Sequence, residues 1–265
     1  MHQVDLNCDV GEGAGHDAEL MPYITSANIA CGGHAGDAAT MRATVELALR
    51  NDVAIGAHPG LDDRQYFGRR ESPLTPSDAG ALVRRQIRLL DQIARAVGGR
   101  IAHVKPHGAL YHMATRDPAL AQAVAAAVLE SDPQLIVVCL AGGELAAAAR
   151  ARGLRVASEA FADRTYRPDG SLTPRSQADA LIADETVAAR QVLRLIREGC
   201  VCATDGTRVA MAADTICIHG DGPHALEVVR RLRDELAAVG IAVRPLGEFQ
   251  ASEPDPGGDR APPAG

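Results

Sequence analysis

Short apolar runs alternate with amphipathic segments along most of the chain. A first apolar run begins at Val4, and the later ones cover residues 27–30, 53–57, 101–105, 135–140, 154–157, 216–218 and 241–243. Between them, apolar residues recur at the spacing of one helix face, as at Val83, Ile87 and Leu90. Strands and helices therefore alternate, and each strand is a continuous apolar run, as in a parallel sheet covered on both faces.

Seven or eight such units predict an α/β fold, a TIM-like (β/α) barrel with about seven parallel strands. A doubly wound open sheet is the alternative. The barrel is favoured because polar residues follow almost every strand at its C-terminal end, where barrels build their sites, whereas an open sheet concentrates its ligand at one switch point. Residues 200–211 predict a small hairpin. We expect one domain over residues 1–249. Residues 250–265 are rich in Pro, Gly and charge, which predicts a disordered tail.

Residues 26–37 form a glycine-rich passage from a predicted strand to a helix. Gly32 and Gly33 leave the backbone bare, so a small ligand can approach it closely beside His34. Asp37 stands where a helix cap is expected, and the sequence leaves capping and a functional role equally open for it.

Chemically active side chains gather at the predicted strand ends. Four histidines each follow a strand directly and sit beside glycine or proline, so we expect them to converge on one pocket: His34, His58, His107 and His219. The other candidates in these loops are Asp9, Glu12, Lys105, Glu159, Asp163, Arg164 and Asp221. Simpler explanations remain open for three residues. Asp221 also suits a helix cap, and Lys105 also suits a structural salt bridge to Glu159. His103 also suits a place in the barrel core.

Two chemistries suit such a pocket. In one, histidines and carboxylates bind a divalent metal that activates water for hydrolysis of an amide or ester. The histidines would be His34, His58 and His219, although no His-x-His or H-E-x-x-H spacing supports such a site. In the other, histidines and carboxylates act as acid and base, while Lys105 or Arg164 neutralises an anionic substrate. The sequence has no nucleophile elbow, no phosphate-binding P-loop and no dinucleotide fingerprint.

Composition narrows the possible partners. The 265 residues are 46% apolar and 23% charged, and the net charge of −7 includes no basic block. We therefore expect no nucleic-acid or membrane partner. The N-terminus has no signal-peptide pattern, and the six cysteines form no C-x-x-C pair, which predicts reduced thiols and a cytoplasmic location.

Six stretches together resemble the LamB/YcsF family, which forms one component, the A subunit, of bacterial ATP-dependent 5-oxoprolinase. They cover residues 5–12, 26–37, 56–60, 104–111, 159–164 and 217–221, in the family's order. Tyr66 stands where the family pattern has Gly, and His112 where Asn is frequent. Both departures lie beside the predicted pocket.

The resemblance implies a (β/α) barrel that helps to open the lactam of 5-oxo-L-proline to L-glutamate, coupled to hydrolysis of ATP and together with B and C subunits. ATP would then be handled largely by the partners, and a divalent metal stays open. Our hypothesis gives catalytic roles to Asp9, His34, His107 and Glu159. In it, His107 or His34 activates water and is oriented by Asp9 or Glu159. Substrate contacts are assigned to Glu12, Gly32, Gly33, His58, Lys105, Asp163, Arg164, His219 and Asp221. The alternatives are a stand-alone metal-dependent amidase or deacetylase, and a non-catalytic subunit.

Overall fold

A computed structural model describes residues 3–222 and 224–247. Its strands are β1 (Gln3–Val10), β2 (Ser26–Ala30), β3 (Ala54–His58), β4 (Ile101–Val104), β5 (Ile136–Leu140), β6 (Arg155–Phe161), β7 (Cys200–Cys202), β8 (Arg208–Ala210), β9 (Thr215–His219) and β10 (Ala242–Val243). Its helices are α1 (Asp17–Leu20), α2 (Ala38–Arg50), α3 (Pro76–Ala96), α4 (Gly108–Arg116), α5 (Pro118–Ser131), α6 (Glu144–Ala151), α7 (Glu185–Glu198) and α8 (Ala225–Ala238), with one 3₁₀ turn at Met21–Tyr23.

Seven parallel strands of the described chain close into a barrel. The order is β1-β2-β3-β4-β5-β6-β9, and β9 pairs with β1 to complete the ring. Strand β10 pairs with the first residues of β1, while β7 and β8 form an antiparallel hairpin outside the barrel. The predicted barrel and hairpin are confirmed, and the open sheet is excluded. The predicted tail, residues 250–265, lies outside the described residues, and the single-domain boundary stays a prediction.

Local sequence signals explain where several helices begin. Asp37 caps α2 by accepting a hydrogen bond from the Thr40 amide, at 2.8 Å, and its side chain is exposed. This supports the capping interpretation of Asp37 over a place in the site. Thr75 caps α3 in the same way, and Pro76 occupies its first position, as its sequence predicts. None of the described helices is long and apolar enough to cross a bilayer.

The inside of the barrel is polar, which corrects the expectation of strands that are apolar on both faces. In β1, Asp5, Asn7 and Asp9 alternate with apolar residues and are all buried. Asn7 Nδ2 donates to Thr215 Oγ1 at 2.7 Å, and Asn28 Nδ2 donates to Asn7 Oδ1 at 2.7 Å and to Asp9 Oδ1 at 2.9 Å. A hydrogen-bonded chain therefore runs up the barrel from the Asp5 end to the Asp9 end.

Gly56 on β3 has no side chain, and this leaves room inside the barrel for the network. A Cβ atom on Gly56 would lie 2.0 Å from Nε2 of His103, far inside contact distance. The imidazole fills that space and approaches Asn28 Oδ1 at 2.9 Å. His103 is fully buried on β4, as the core interpretation of this residue predicts.

Asp5 gives the barrel a pH-dependent stability. Burial raises the pKa of its carboxyl from 3.8 to about 6, although Ser26, Thr25 and Thr215 donate hydrogen bonds to it. A folded-state pKa above the unfolded value means that the folded protein holds this proton longer. The fold therefore loses stability as pH rises from about 4 to about 6, and the loss is complete above that window.

Asp5→Asn is expected to remove this pH dependence. The free energy of unfolding of the wild type, minus that of the variant, should rise by about 2 kcal/mol on going from about pH 7 to about pH 4. Urea unfolding of both proteins at several pH values measures this difference. A difference that stays constant across the range would contradict the assignment to Asp5.

Candidate active site

Most of the predicted site residues lie at the C-terminal ends of the barrel strands, and several of them line a cavity of about 610 Å³. Its floor holds five residues that the sequence nominated: Asp9, His58, Lys105, His107 and His219. The apolar part of the lining includes Phe161 and Leu172. The lining also includes five arginines, of which Arg164 is buried: Arg69, Arg116, Arg164, Arg167 and Arg175. Such a cavity has the size and mixed lining of a small-molecule site.

Lys105, which follows β4, is the buried centre of the floor. Its Nζ lies 2.7 Å from Glu159 Oε1 and 3.0 Å from Asp9 Oδ1, and its side chain is 3% exposed. The ammonium also donates to Asn7 Oδ1 at 3.2 Å and to Cys217 Sγ at 3.0 Å. The salt bridge to Glu159 that the sequence left open is therefore present.

Charge pairing overrides burial in this group. Burial alone lowers the pKa of Lys105, but the charges of Asp9 and Glu159 raise it well above its usual value. Burial likewise raises the pKa of Asp9, but the charges of His58 and Lys105 bring it well below its usual value. The floor therefore keeps a carboxylate and an ammonium in their charged forms inside the barrel.

A second cluster lies beside Asp9 and contains three of the predicted histidines with Glu12. Glu12 Oε1 is 3.0 Å from His34 Nε2, 3.4 Å from His107 Nδ1 and 3.7 Å from His58 Nε2. The rings of His34 and His107 stack in parallel with centroids 3.7 Å apart, and His58 meets His107 edge-on. The carboxylate that contacts His34 and His107 is thus Glu12, rather than Asp9 or Glu159.

Backbone carbonyls fix the tautomers of two of these rings. His58 Nδ1 lies 2.7 Å from the Lys105 carbonyl, and His107 Nε2 lies 2.9 Å from the Phe67 carbonyl. Since a carbonyl only accepts, each of these nitrogens carries hydrogen. The inner nitrogens, His58 Nε2 and His107 Nδ1, then face each other at 2.9 Å. Phe67 holds its carbonyl in place at a φ of +56°, a left-handed conformation that is rare for a bulky residue.

Bare glycines allow the imidazoles to pack this closely. A Cβ on Gly60 would lie 2.4 Å from His34 Nδ1, and one on Gly68 would lie 2.7 Å from His34 Cβ. Any other residue at either position would displace the ring of His34. The His58-Pro59-Gly60 turn and the Phe67-Gly68 turn therefore shape the cluster through their backbone.

Burial and neighbouring charge shift the pKa values of Glu12 and the three histidines in different directions. Burial and the Asp9 charge raise the pKa of Glu12 to about 8. Burial and the positive charge on His58 lower the pKa of His34 to about 2 and put that of His107 well below its usual value. Burial also opposes a charge on His58, but Asp9 raises its pKa. His34 and His107 are consequently neutral, and His58 takes a proton most readily.

His219 lies on the other side of Asp9 and pairs with Asp163. The two carboxylate oxygens of Asp163 are both 3.0 Å from His219 Nδ1, and one also accepts from the His219 amide at 3.1 Å. The ring stacks on Phe161 with centroids 5.4 Å apart. The charge of His219 lowers the pKa of Asp163, although burial opposes the shift. An ionised Asp163 therefore orients an imidazole that lines the cavity.

Several nominated residues have other roles in the geometry. Arg164 lines the cavity, but its guanidinium also donates to the carbonyls of Thr173 and Ala180, so it braces the long loop after β6. Asp221 pairs with Arg69 instead of capping α8, whose cap is His224. Gly32 and Gly33 are not in the cavity lining, and a Cβ on Gly33 would clash with Gln86 and Gly60.

Sequence reasoning missed the residues that support the site from within the barrel and the loops. Asn7 and Asn28 had a usable signal, because Asp5, Asn7 and Asp9 alternate with apolar residues and so share one strand face. Lys105 had a further signal, since it is the only lysine in the chain. Phe67 had none, because its contribution is a backbone carbonyl.

Comparison with known proteins identifies the family of the chain. A model described as the LamB/YcsF family matches residues 4–251. The chain belongs to this family. Proteins named as the A subunit of 5-oxoprolinase from Brevibacillus brevis and Methylococcus capsulatus are 51% and 53% identical to it, covering 92% of this chain and 98% and 96% of their own. The crystal structure of a lactam utilization protein from Thermus thermophilus matches with a TM-score of 0.86 and 47% identity, covering 91% of this chain and 99% of that one.

Lys105→Met tests the importance of the buried ammonium for the fold. The change leaves the Asp9 and Glu159 carboxylates buried without their common partner, so it should lower the free energy of unfolding by about 3–5 kcal/mol. Adding Glu159→Gln to this variant should recover part of the loss. Chemical denaturation measures both effects.

Arg95→Met provides the matched control. Arg95 pairs with Asp91 on the surface of α3, with 66% of its side chain exposed. Because water and salt screen this exposed pair, its loss should lower the free energy of unfolding far less than the loss of Lys105 does. Equal losses for Lys105→Met and Arg95→Met would show that burial of the ammonium has no special effect on stability.

Proposed function

We propose that this LamB/YcsF protein is a catalytic subunit of an ATP-dependent 5-oxoprolinase, which opens the lactam of 5-oxo-L-proline to L-glutamate. The observation that carries the proposal is the His219–Asp163 pair, placed on the floor of a cavity that five arginines surround. The names of the relatives support it, since chains about 50% identical over most of their length are named as the A subunit of 5-oxoprolinase.

The cavity suits a small anion with an apolar ring. The carboxylate of 5-oxoproline would face the arginines of the lining, where Arg167 and Arg175 approach from the loop after β6. The ring carbons would contact Phe161 and Leu172. In this orientation the lactam carbonyl would lie above Asp9, Lys105 and His219.

His219 is the better base among the histidines on geometric grounds. Its Nδ1 is held by Asp163, which leaves Nε2 for a water molecule in the cavity. Both ring nitrogens of His107 already have partners, and His34 lies behind His107, outside the cavity lining. The assignment of water activation to His107 or His34, made from the sequence, stays a prediction, and the geometry leads us to favour His219.

The hydrolytic step uses His219 and a water molecule. His219 takes a proton as water oxygen bonds to the ring carbonyl carbon. The carbon–nitrogen bond of the ring breaks, and His219 returns its proton to the ring nitrogen, which becomes the amino group of glutamate. The water oxygen remains in the new side-chain carboxylate. Lys105 offers little to this step, because Asp9 and Glu159 already engage its ammonium.

ATP and partner subunits complete the proposal. A five-membered lactam is an unreactive amide. Transfer of the terminal phosphoryl group of ATP to its carbonyl oxygen would activate the carbonyl carbon and release ADP. Attack of the first water with ring opening would then leave an acyl phosphate, which a second water would hydrolyse to glutamate and phosphate. The chain has no P-loop sequence, so B and C subunits would carry much of the nucleotide binding. The arginines of the lining are chemically suited to accept phosphate groups on the activated substrate.

Glutamate release in the reconstituted complex tests this function. Release from 5-oxo-L-proline should require ATP and the partner subunits, and His219→Ala should lower it by about 10²–10⁴-fold, the usual contribution of a general base. Asp163→Asn should reduce it too, because the ring would lose its orienting carboxylate. His224→Ala is the control, since His224 is exposed at the start of α8.

Three results would argue against the proposal. Glutamate release without ATP would favour a stand-alone amidase. Full activity in His219→Ala, with the complex intact by gel filtration, would remove His219 from the reaction. Full activity in every variant of the cavity floor would favour a non-catalytic subunit.

A further inference from the structure

The inner nitrogens of His58 and His107 present a problem of charge. Both outer nitrogens carry hydrogen, because each meets a carbonyl oxygen, at 2.7 Å from Lys105 and 2.9 Å from Phe67. In two neutral rings the inner nitrogens would then hold bare lone pairs that face each other at 2.9 Å. Glu12 Oε1 adds a third possible ligand atom, 3.4 Å from His107 Nδ1 and 3.7 Å from His58 Nε2. A positive species belongs among these three atoms.

We propose that Glu12, His58 and His107 bind a divalent transition-metal ion such as Zn²⁺. The three separations between their ligand atoms, 2.9, 3.4 and 3.7 Å, bracket the edge of a tetrahedron around the metal. That edge is about 3.3 Å for metal–ligand bonds of about 2.0 Å. Two histidines and one glutamate, with a fourth position open, are a ligand set that zinc enzymes use.

The surroundings of the three residues match what metal ligands require. Each histidine donates its outer N–H to a backbone carbonyl, which fixes the tautomer and the direction of the ring. His34 supports the other two ligands, because its Nε2 lies 3.0 Å from Glu12 Oε1 and its ring stacks on His107 at 3.7 Å. Because the His34 ring is parallel to the His107 ring, the ring-nitrogen lone pairs of the two lie in separate parallel planes and do not point at one ion. His34 is therefore an outer residue of the site rather than a fourth ligand.

The proposed site opens onto the cavity. His58 and His107 both line it, whereas Glu12 lies at the edge toward Gly13 and His16. The ligand set differs from the trio predicted from sequence, His34, His58 and His219, because His219 pairs with Asp163 beyond Asp9. A metal here would supply a Lewis acid beside the lactam carbonyl. The site stands on side-chain geometry and does not depend on the proposed reaction.

Metal binding by the full chain tests the proposal without an activity assay. The protein is stripped with a chelator, dialysed against Zn²⁺ and analysed by elemental mass spectrometry, with affinity measured against a competing chelator. We expect about one Zn²⁺ per chain. Glu12→Gln and His107→Gln should weaken binding by more than about 100-fold, and His34→Ala by the roughly 10–100-fold typical of an outer partner.

His219→Ala is the discriminating variant. His219 lies near Asp9 and Cys217, the other described group with suitable ligand atoms close together. The proposal predicts that His219→Ala keeps its Zn²⁺. Loss of the metal in His219→Ala and retention in His107→Gln would place the ion in the other group and overturn the proposal.

Co²⁺ in the wild type gives a readout that needs no variant to fold. Four-coordinate Co²⁺ bound to nitrogen and oxygen should show intense visible bands without thiolate charge-transfer absorption in the near ultraviolet. A thiolate band would indicate Cys217 and contradict the proposal. Failure to retain Zn²⁺ or to show the Co²⁺ bands would mean that a proton alone occupies the space between His58 and His107. Glutamate release is a separate measurement, so either result leaves the proposed function independently testable.

Discussion

The burial of one ammonium group between two carboxylates is the constraint on which this barrel depends. Lys105 lies inside the closed ring with Asp9 and Glu159, from strands on different sides of it. Removing these charges from water costs several kcal/mol each, and only close pairing and further hydrogen bonds compensate for it. The barrel must therefore hold β1, the end of β4 and β6 in one register. That same register places the active-site floor.

The polar interior of the barrel also requires the strands to keep one register along their length. Asp5, Asn7 and Asp9 face inward from β1 and bond to side chains from β2, from β9 and from the end of β4. A slip of one residue in β1 would turn all three outward and bury apolar side chains in their place. An apolar barrel core tolerates such errors better, because its contacts are not directional. The network thus supports a unique fold as well as a site.

The sequence predicted the barrel because strand and helix periods alternate clearly, and it predicted the strand-end histidines because barrels place their sites there. Three of these, His34, His58 and His107, contact one another. It did not predict which carboxylate pairs with which histidine. Glu12 and Asp163 lie in loops, and the sequence of a loop has no periodic pattern that predicts its path. Nor did it reveal the carbonyl of Phe67, because any residue supplies a carbonyl and only the backbone conformation aims it.

Charge balance links the two halves of the site. Asp9 lies between them, 3.4 Å from His58 and 3.0 Å from Lys105. Asp9, Glu12 and Glu159 bring three carboxyl groups close to Lys105 and His58, in a medium where unbalanced charge is costly. Burial and the Asp9 charge raise the pKa of Glu12 to about 8, so that this carboxyl retains its proton at neutral pH. Asp163 stands apart from this group, because its carboxylate pairs with His219.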